Sequence, residues 1–399
     1  MSIHADGRRV AIYSIYCIGN NMMDDHINTK RPDADELSRQ WTMGKVLIWG
    51  DDVTHVQAFT CRAIHLDGGG WRLWYSRRND GAKRYTFGYR DFTEDFETIG
   101  ETMMRIVDKP SDSGLNIIGV PSEWMLTQPV HLDLPDGRQR IYFWAHASDV
   151  NRYLVADSDD GVNFFVADWR RPTLCHPGDR AVPLEMLKQK KLWLYVRQAE
   201  LPKPEGEPQV TADMLLNDAT NVYLLPDGTF ELYSAEVIMC PPGPEPHQKD
   251  PCVRFIQHRT SQDGIHWTPP ERVLIRDEKD PYDLQFYYLA VNYTLNGRIG
   301  VLGHYRSDPG TGDLEFCYSK DGIHWERQRR PGFPRTKGVE GIYAPHDLVK
   351  VNDLYYLFYT GNSINHHGVV SPDAPPGQPV SWIGVATIPA SLYEAGLMA

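Results

Sequence analysis

A seven-residue pattern, S-x-D-G-[VI]-x-[FW], recurs three times and constrains the fold more than any other feature of this chain. The copies are Ser158-Asp159-Asp160-Gly161-Val162-Asn163-Phe164, Ser261-Gln262-Asp263-Gly264-Ile265-His266-Trp267 and Ser319-Lys320-Asp321-Gly322-Ile323-His324-Trp325. Each follows a short β-like run, at residues 153–156, 253–258 and 314–318. Asp-Gly supplies the positive φ of a tight hairpin, and the aromatic residue opens the next strand.

A second pattern precedes these turns: an apolar strand, a polar turn, then an aromatic strand. Residues 129–134 turn at Asp136-Gly137 into 141–144, and 221–225 turn at Asp227-Gly228 into 230–233. Residues 286–293 turn at Asn296-Gly297 into 299–302, and 347–351 turn at Asn352-Asp353 into 355–359. An earlier member runs over 60–66, turns at 67–70 and continues through 71–75. Five hairpins, each followed by further strands at blade-like spacing, predict an all-β, five-bladed β-propeller with four-stranded antiparallel blades, spanning 1–399 as one domain. Short helices are expected only at 33–39 and 184–191. The run 10–18 is expected beside 382–388, so that N- and C-terminal strands close the ring and remove a sheet edge.

Composition excludes some partners. The formal net charge of −12 repels phosphate backbones and anionic lipid, which argues against nucleic acid and membrane surfaces. Residues 1–10 hold no apolar leader and no run reaches membrane-span length, so a cytoplasmic protein is expected. Six scattered cysteines without a C-x-x-C read as buried reduced thiols, and no motif calls for a metal or cofactor. Eleven Trp and 21 Tyr are many for 399 residues, and such rings stack on sugars as well as filling cores.

The run Glu340-Gly341-Ile342-Tyr343-Ala344-Pro345-His346-Asp347-Leu348-Val349-Lys350, continuing to Tyr355-Tyr356-Leu357-Phe358-Tyr359-Thr360-Gly361, resembles a blade of the five-bladed propeller glycosidases. That superfamily holds arabinanases, β-xylosidases, arabinofuranosidases, invertases and levanases. The resemblance implies three funnel carboxylates: an Asp in blade 1, an Asp in blade 2 and a Glu in blade 3. The sequence departs from that set. Blade 1 has Asp51-Asp52 without the family's Asp-Pro, blade 2 opens with Glu123-Trp124, and blade 3 offers Asp218 and Glu236.

Innermost strands of a propeller lead into its central funnel, so their starts hold the candidate residues. These are Asp51, Asp52 and His55; Glu123, Trp124 and Gln128; Asn217, Asp218 and Asn221; Asp280, Asp283, Gln285 and Tyr287; and Glu340, Tyr343 and His346. Glycoside hydrolysis needs one protonated and one ionised carboxyl across the scissile bond. Asp218, Asp283 and Glu340 start three different blades, and Glu236 sits among strand residues, so these four are the candidate acids and bases. His304, His346, Tyr343, Asn221, Arg180, His176 and Trp124 are the candidate substrate contacts, with Arg62 and Arg306 as further cations for an acidic sugar. His366-His367 point opposite ways if they lie on a strand. The leading expectation is an exo-acting glycoside hydrolase taking an oligosaccharide. The alternatives are a lyase using His346, Tyr343, His304 and Arg180 against a uronate, or a non-catalytic carbohydrate-binding propeller.

Overall fold

The computed structural model describes residues 32–51, 54–79, 84–192, 195, 209–239 and 252–397. Strands dominate and run as antiparallel meanders. The simplest stands alone: Asn221–Leu224, Phe230–Met239, Cys252–Ser261 and Glu271–Leu274 pair in chain order. Leu284–Thr294, Gly297–Arg306, Thr311–Ser319 and Glu326–Pro331 repeat that order. Met125–Asp133, Gln139–His146 and Asn151–Ser158 form a third meander, and Trp71–Asn79, Arg84–Phe92 and Thr98–Ile106 the core of a fourth, with Thr54–Gln57 against its first strand. Apolar side chains alternate toward the spaces between sheets, where they form separate aromatic-rich clusters rather than one central core.

The hairpins fall where the Asp-Gly and Asn-Gly pairs place them, and both expected helices form, as Ala34–Gln40 and Leu184–Gln189. Asp33 caps the first, its carboxylate accepting from the Glu36 amide at 2.8 Å. One expectation is corrected. The strand Ser381–Pro389 has Leu354–Asn362 on one edge and Thr42–Trp49 on the other, so no edge is left there for residues 10–18, which lie outside the described residues. Thr42–Trp49 escapes a sequence reading because its outer face is exposed and its apolar residues do not alternate.

The three S-x-D-G turns share one hydrogen-bond scheme. In each, the Ser hydroxyl accepts from the Gly amide, and one Asp oxygen accepts from the two amides after that Gly, at 2.7–2.9 Å. Two of the turns also join sheets. The Tyr142 hydroxyl donates to the Gly264 carbonyl at 2.9 Å, and the Tyr233 hydroxyl donates to the Gly322 carbonyl at 3.1 Å. Gly322 has φ of 83°, and a Cβ there collides with the Tyr233 hydroxyl and the Arg298 guanidinium. Gly322→Ala is therefore expected to lower stability by about 1–3 kcal/mol, read from urea unfolding. A variant within experimental error of the parent contradicts the stapling role.

Candidate functional site

The inner strands end at a cavity of about 630 Å³, well within the size range of ligand pockets. Its wall takes His55, Gln57 and Phe59 from Thr54–Gln57 and the residues just after it, Met125, Thr127 and Gln128 from Met125–Asp133, then Asp218, Tyr287 and Tyr343. The entry strands bend at this level. Thr60, Gln128 and Ala219 have φ of 59°, 52° and 61°, although none is glycine. Register shifts at Thr127/Val130 and Phe286/Leu289 mark bulges in two of these strands. Bulges re-aim side chains, and such strain concentrates at functional sites. The bends are held by hydrogen bonds: the Gln128 amide donates to Ser76 Oγ at 2.9 Å, and the Ala219 amide to Gln128 Oε1 at 3.1 Å.

One side of the cavity is aromatic. Phe59, Tyr287 and Tyr343 approach one another with centroids 5.7–6.2 Å apart, and His366 meets Tyr287 at 5.4 Å. The other side carries His55, Arg78, Tyr85 and His146, with the Arg78 guanidinium over the Tyr85 ring at 4.9 Å. Amides from Gln57, Gln128, Asn362 and Asn365 complete the lining. Among the described lining residues Asp218 is the one carboxylate. Asn217 Nδ2 donates to its Oδ1 at 2.8 Å.

Electrostatics fix the protonation of its neighbours. Burial pushes the Tyr343 hydroxyl up to about 12, the nearby Asn362 amide opposes that rise, and Asp218 adds to it against Arg254. Tyr287 is raised by burial and then by Asp218, again against Arg254. His146 is lowered to about 4, first by burial and then by His176 and Arg78. It is therefore neutral at pH 7. With its unfolded value near 6.5, this contribution to stability is complete above about 6.5 and is lost as pH falls through about 4. A proton NMR titration is expected to find His146 changing charge near pH 4; a midpoint near 6.5 contradicts that lowering.

Of the candidates from sequence, the structure brings Asp218 and Tyr343 to the cavity wall, along with His55, Gln128, Tyr287 and His366. His176 and Asn217 stand behind Asp218. The other named positions lie elsewhere. Asp283 is buried against Arg306, 2.6 Å away. Glu340 lines a separate open depression with Asp313 and Arg335. Glu236 lies 4.0 Å from Lys190, its carboxyl raised by burial against Lys190, Arg259 and Arg272. His304 bonds Glu315 at 2.9 Å, and Asn221 Nδ2 bonds the Leu289 carbonyl at 2.8 Å. Arg180 pairs with Asp149 at 3.2 Å, and Arg62 with Asp133 at 3.4 Å. Trp124 is buried against Trp169. His346 is 2% exposed and bonds the Val222 carbonyl, away from the cavity. His367 turns from His366 to bond the Ser307 carbonyl. Asp52 lies outside the described residues.

His146, Arg78 and Asn362 were not among the sequence candidates. In an antiparallel hairpin, the end of the second strand returns to the start of the first. His55 pairs with Arg78, Met125 with His146 and Gly341 with Asn362. That register was the available signal.

Among the described residues no group of three or more His, Cys, Asp or Glu is placed to hold a metal ion, and no helix is long and apolar enough to cross a membrane. Cys61 and Cys317 are buried free thiols; burial raises both.

No family model matches the chain, and no curated protein matches it. Solved structures do match in fold. An N-acetylgalactosamine deacetylase from F. plautii, in complex with blood group B trisaccharide, aligns at 14% identity with a TM-score of 0.50, over 92% of this chain and 97% of its own. A BT0996 RGII complex aligns at 12% identity with a TM-score of 0.51, over 86% and 90%. A thermostable family-43 glycoside hydrolase aligns at 11% identity over 86% and 92%, with a TM-score of 0.49. At 12–14% identity, the likeness to the first two of these is one of fold alone.

Proposed function

We propose that this chain is a carbohydrate-active enzyme, an exo-acting glycosidase built on a five-bladed propeller whose ring Thr42–Trp49 closes against Ser381–Pro389. The observation that carries this reading is Asp218. It stands as the single described carboxylate on a cavity lined by aromatic faces and side-chain amides, the chemistry that stacks on a sugar ring and bonds its hydroxyls. The Tyr223 hydroxyl donates to the His346 carbonyl at 2.7 Å and Asn292 Nδ2 to the Leu348 carbonyl at 2.7 Å, which ties residues 346–348 to the first strands of two meanders.

In the proposed reaction a terminal sugar stacks on Tyr287 and Phe59. Asp218 takes a proton from the attacking water and offsets the positive charge that develops at the anomeric carbon. The water oxygen bonds that carbon as the glycosidic C–O bond breaks. No second carboxyl stands among the described lining residues, so the acid's part falls to Tyr343, kept protonated at neutral pH by a value near 12: it gives its proton to the leaving oxygen and regains one through water from Asp218 once the products leave. A cytoplasmic location fits the buried free thiols of Cys61 and Cys317.

The test is incubation with a panel of plant, algal and bacterial oligosaccharides, following chain length by mass spectrometry. Stepwise loss of terminal units is expected. Internal cuts contradict exo action, and products carrying a new double bond contradict hydrolysis.

A further inference from the structure

Behind Asp218 lies a short chain of hydrogen bonds whose direction can be read unambiguously. The Gly178 backbone amide can only donate, and it points at His176 Nδ1 from 3.0 Å. Nδ1 is therefore the bare nitrogen, and the imidazole proton sits on Nε2. Nε2 lies 3.0 Å from Asn217 Oδ1 and donates to it. That contact fixes the orientation of the Asn217 amide, which leaves Nδ2 to donate to Asp218 Oδ1 at 2.8 Å. With Oδ1 engaged, Oδ2 has no bond from any described residue and is the oxygen left for a ligand.

The ring is anchored from below as well. Its backbone amide donates to the Asn151 carbonyl, and its carbonyl accepts from the Asp179 amide at 2.9 Å. Asp179 holds the fully buried Arg152 at 3.1 Å. Burial and Arg254 lower the His176 pKa, outweighing Asp218, Asn217 and Asp179, which favours the neutral ring this arrangement needs.

We infer that His176 is a positioning residue: its Nε2–H tautomer sets the Asn217 amide, and through it the orientation of the Asp218 carboxylate in the cavity. The inference rests on the proposed role of Asp218. It adds what the sequence alone could not, since residues 176 and 217 are 41 positions apart.

Amide side chains offer a selective test. The Gln amide nitrogen reaches the place of His Nε2, whereas Asn can reproduce only the Nδ1 side. On 4-nitrophenyl glycosides, or the oligosaccharide that is turned over, His176→Asn and His176→Ala are expected to lower kcat about 100-fold with KM little changed. His176→Gln is expected to recover most of that loss, with thermal midpoints of all three variants alike. An Asp218→Asn control separates the failures. If Asp218→Asn is inactive while His176→Ala keeps full kcat, or if Gln rescues no better than Asn, the positioning role is wrong and the reading of Asp218 stands. If Asp218→Asn is fully active, that reading falls. A second measurement needs no substrate. Nitrogen-15 NMR of histidine-labelled protein, assigned with His176→Gln, is expected to show His176 with a bare Nδ1 and a protonated Nε2. The opposite tautomer overturns the inference.

Discussion

Asp218→Asn is expected to lower kcat at least about 1,000-fold while leaving KM within a few-fold. The amide keeps the shape of the side chain and its contact with Asn217, 2.8 Å away, but it carries no charge and accepts no proton. Losing a positioned general base typically removes a factor of about 100 to 10,000. Here the same group also faces the charge developing at the anomeric carbon, so the upper part of that range applies. Steady-state kinetics with wild type and variant read the effect directly. Glu340→Gln and Glu236→Gln serve as comparisons, because neither side chain lines the cavity. Both are expected to keep kcat. If either of them abolishes turnover while Asp218→Asn does not, the site has been assigned to the wrong carboxylate.

The largest expected effect on stability lies elsewhere, at Glu315. This carboxylate is fully buried in Thr311–Ser319 and accepts four hydrogen bonds at 2.8–2.9 Å, from His304 Nδ1, from Arg327 Nε and Nη2, and from the Arg329 amide. Arg327 is itself 5% exposed, and its Nη1 continues to Asp280 at 2.7 Å. The network ties the segment before Leu284–Thr294 to the outer strands of the same sheet, so it supports the strand that carries Tyr287 into the cavity. Burial raises the Glu315 carboxyl, but the bonds from His304 and Arg327 outweigh it and hold it below the usual range. Its contribution is complete above the ordinary carboxylate value and is lost as pH falls through the depressed one. Glu315→Ala leaves Arg327 buried without its main partner and is expected to cost about 3–5 kcal/mol. The double variant Glu315→Ala/Arg327→Met is expected to regain most of it, because an apolar pair needs no desolvation of charge. Urea midpoints of the two variants decide the matter. A Glu315→Ala protein as stable as the parent contradicts the hub role.

Much of the fold was legible because it is local. The Asp-Gly and Asn-Gly turns at 136–137, 227–228 and 296–297 and the S-x-D-G turns fix strand ends within a few residues, and each strand then pairs with its sequence neighbour. The pairing of Thr42–Trp49 with Ser381–Pro389 was not legible, since it spans nearly the whole chain. The site divides in the same way. Strand starts pointed to Asp218, Tyr287, Tyr343, His55 and Gln128, and all five stand on the cavity wall, because a hairpin implies where its first strand begins. Asp283 starts a strand too, yet Arg306 claims its carboxylate, and that partner arrives from the next strand. His304 and His346 look like site histidines in sequence. Only tertiary packing shows the first bonded to Glu315 and the second to the Val222 carbonyl.

The most direct test of the account is to run the oligosaccharide reaction in oxygen-18 water with the wild-type protein and with Asp218→Asn, and to weigh the products. The account predicts one heavy oxygen in the sugar released by each wild-type cut, and at least about 1,000-fold slower release from the variant. Cleavage without label, or labelled product from Asp218→Asn at the wild-type rate, contradicts it.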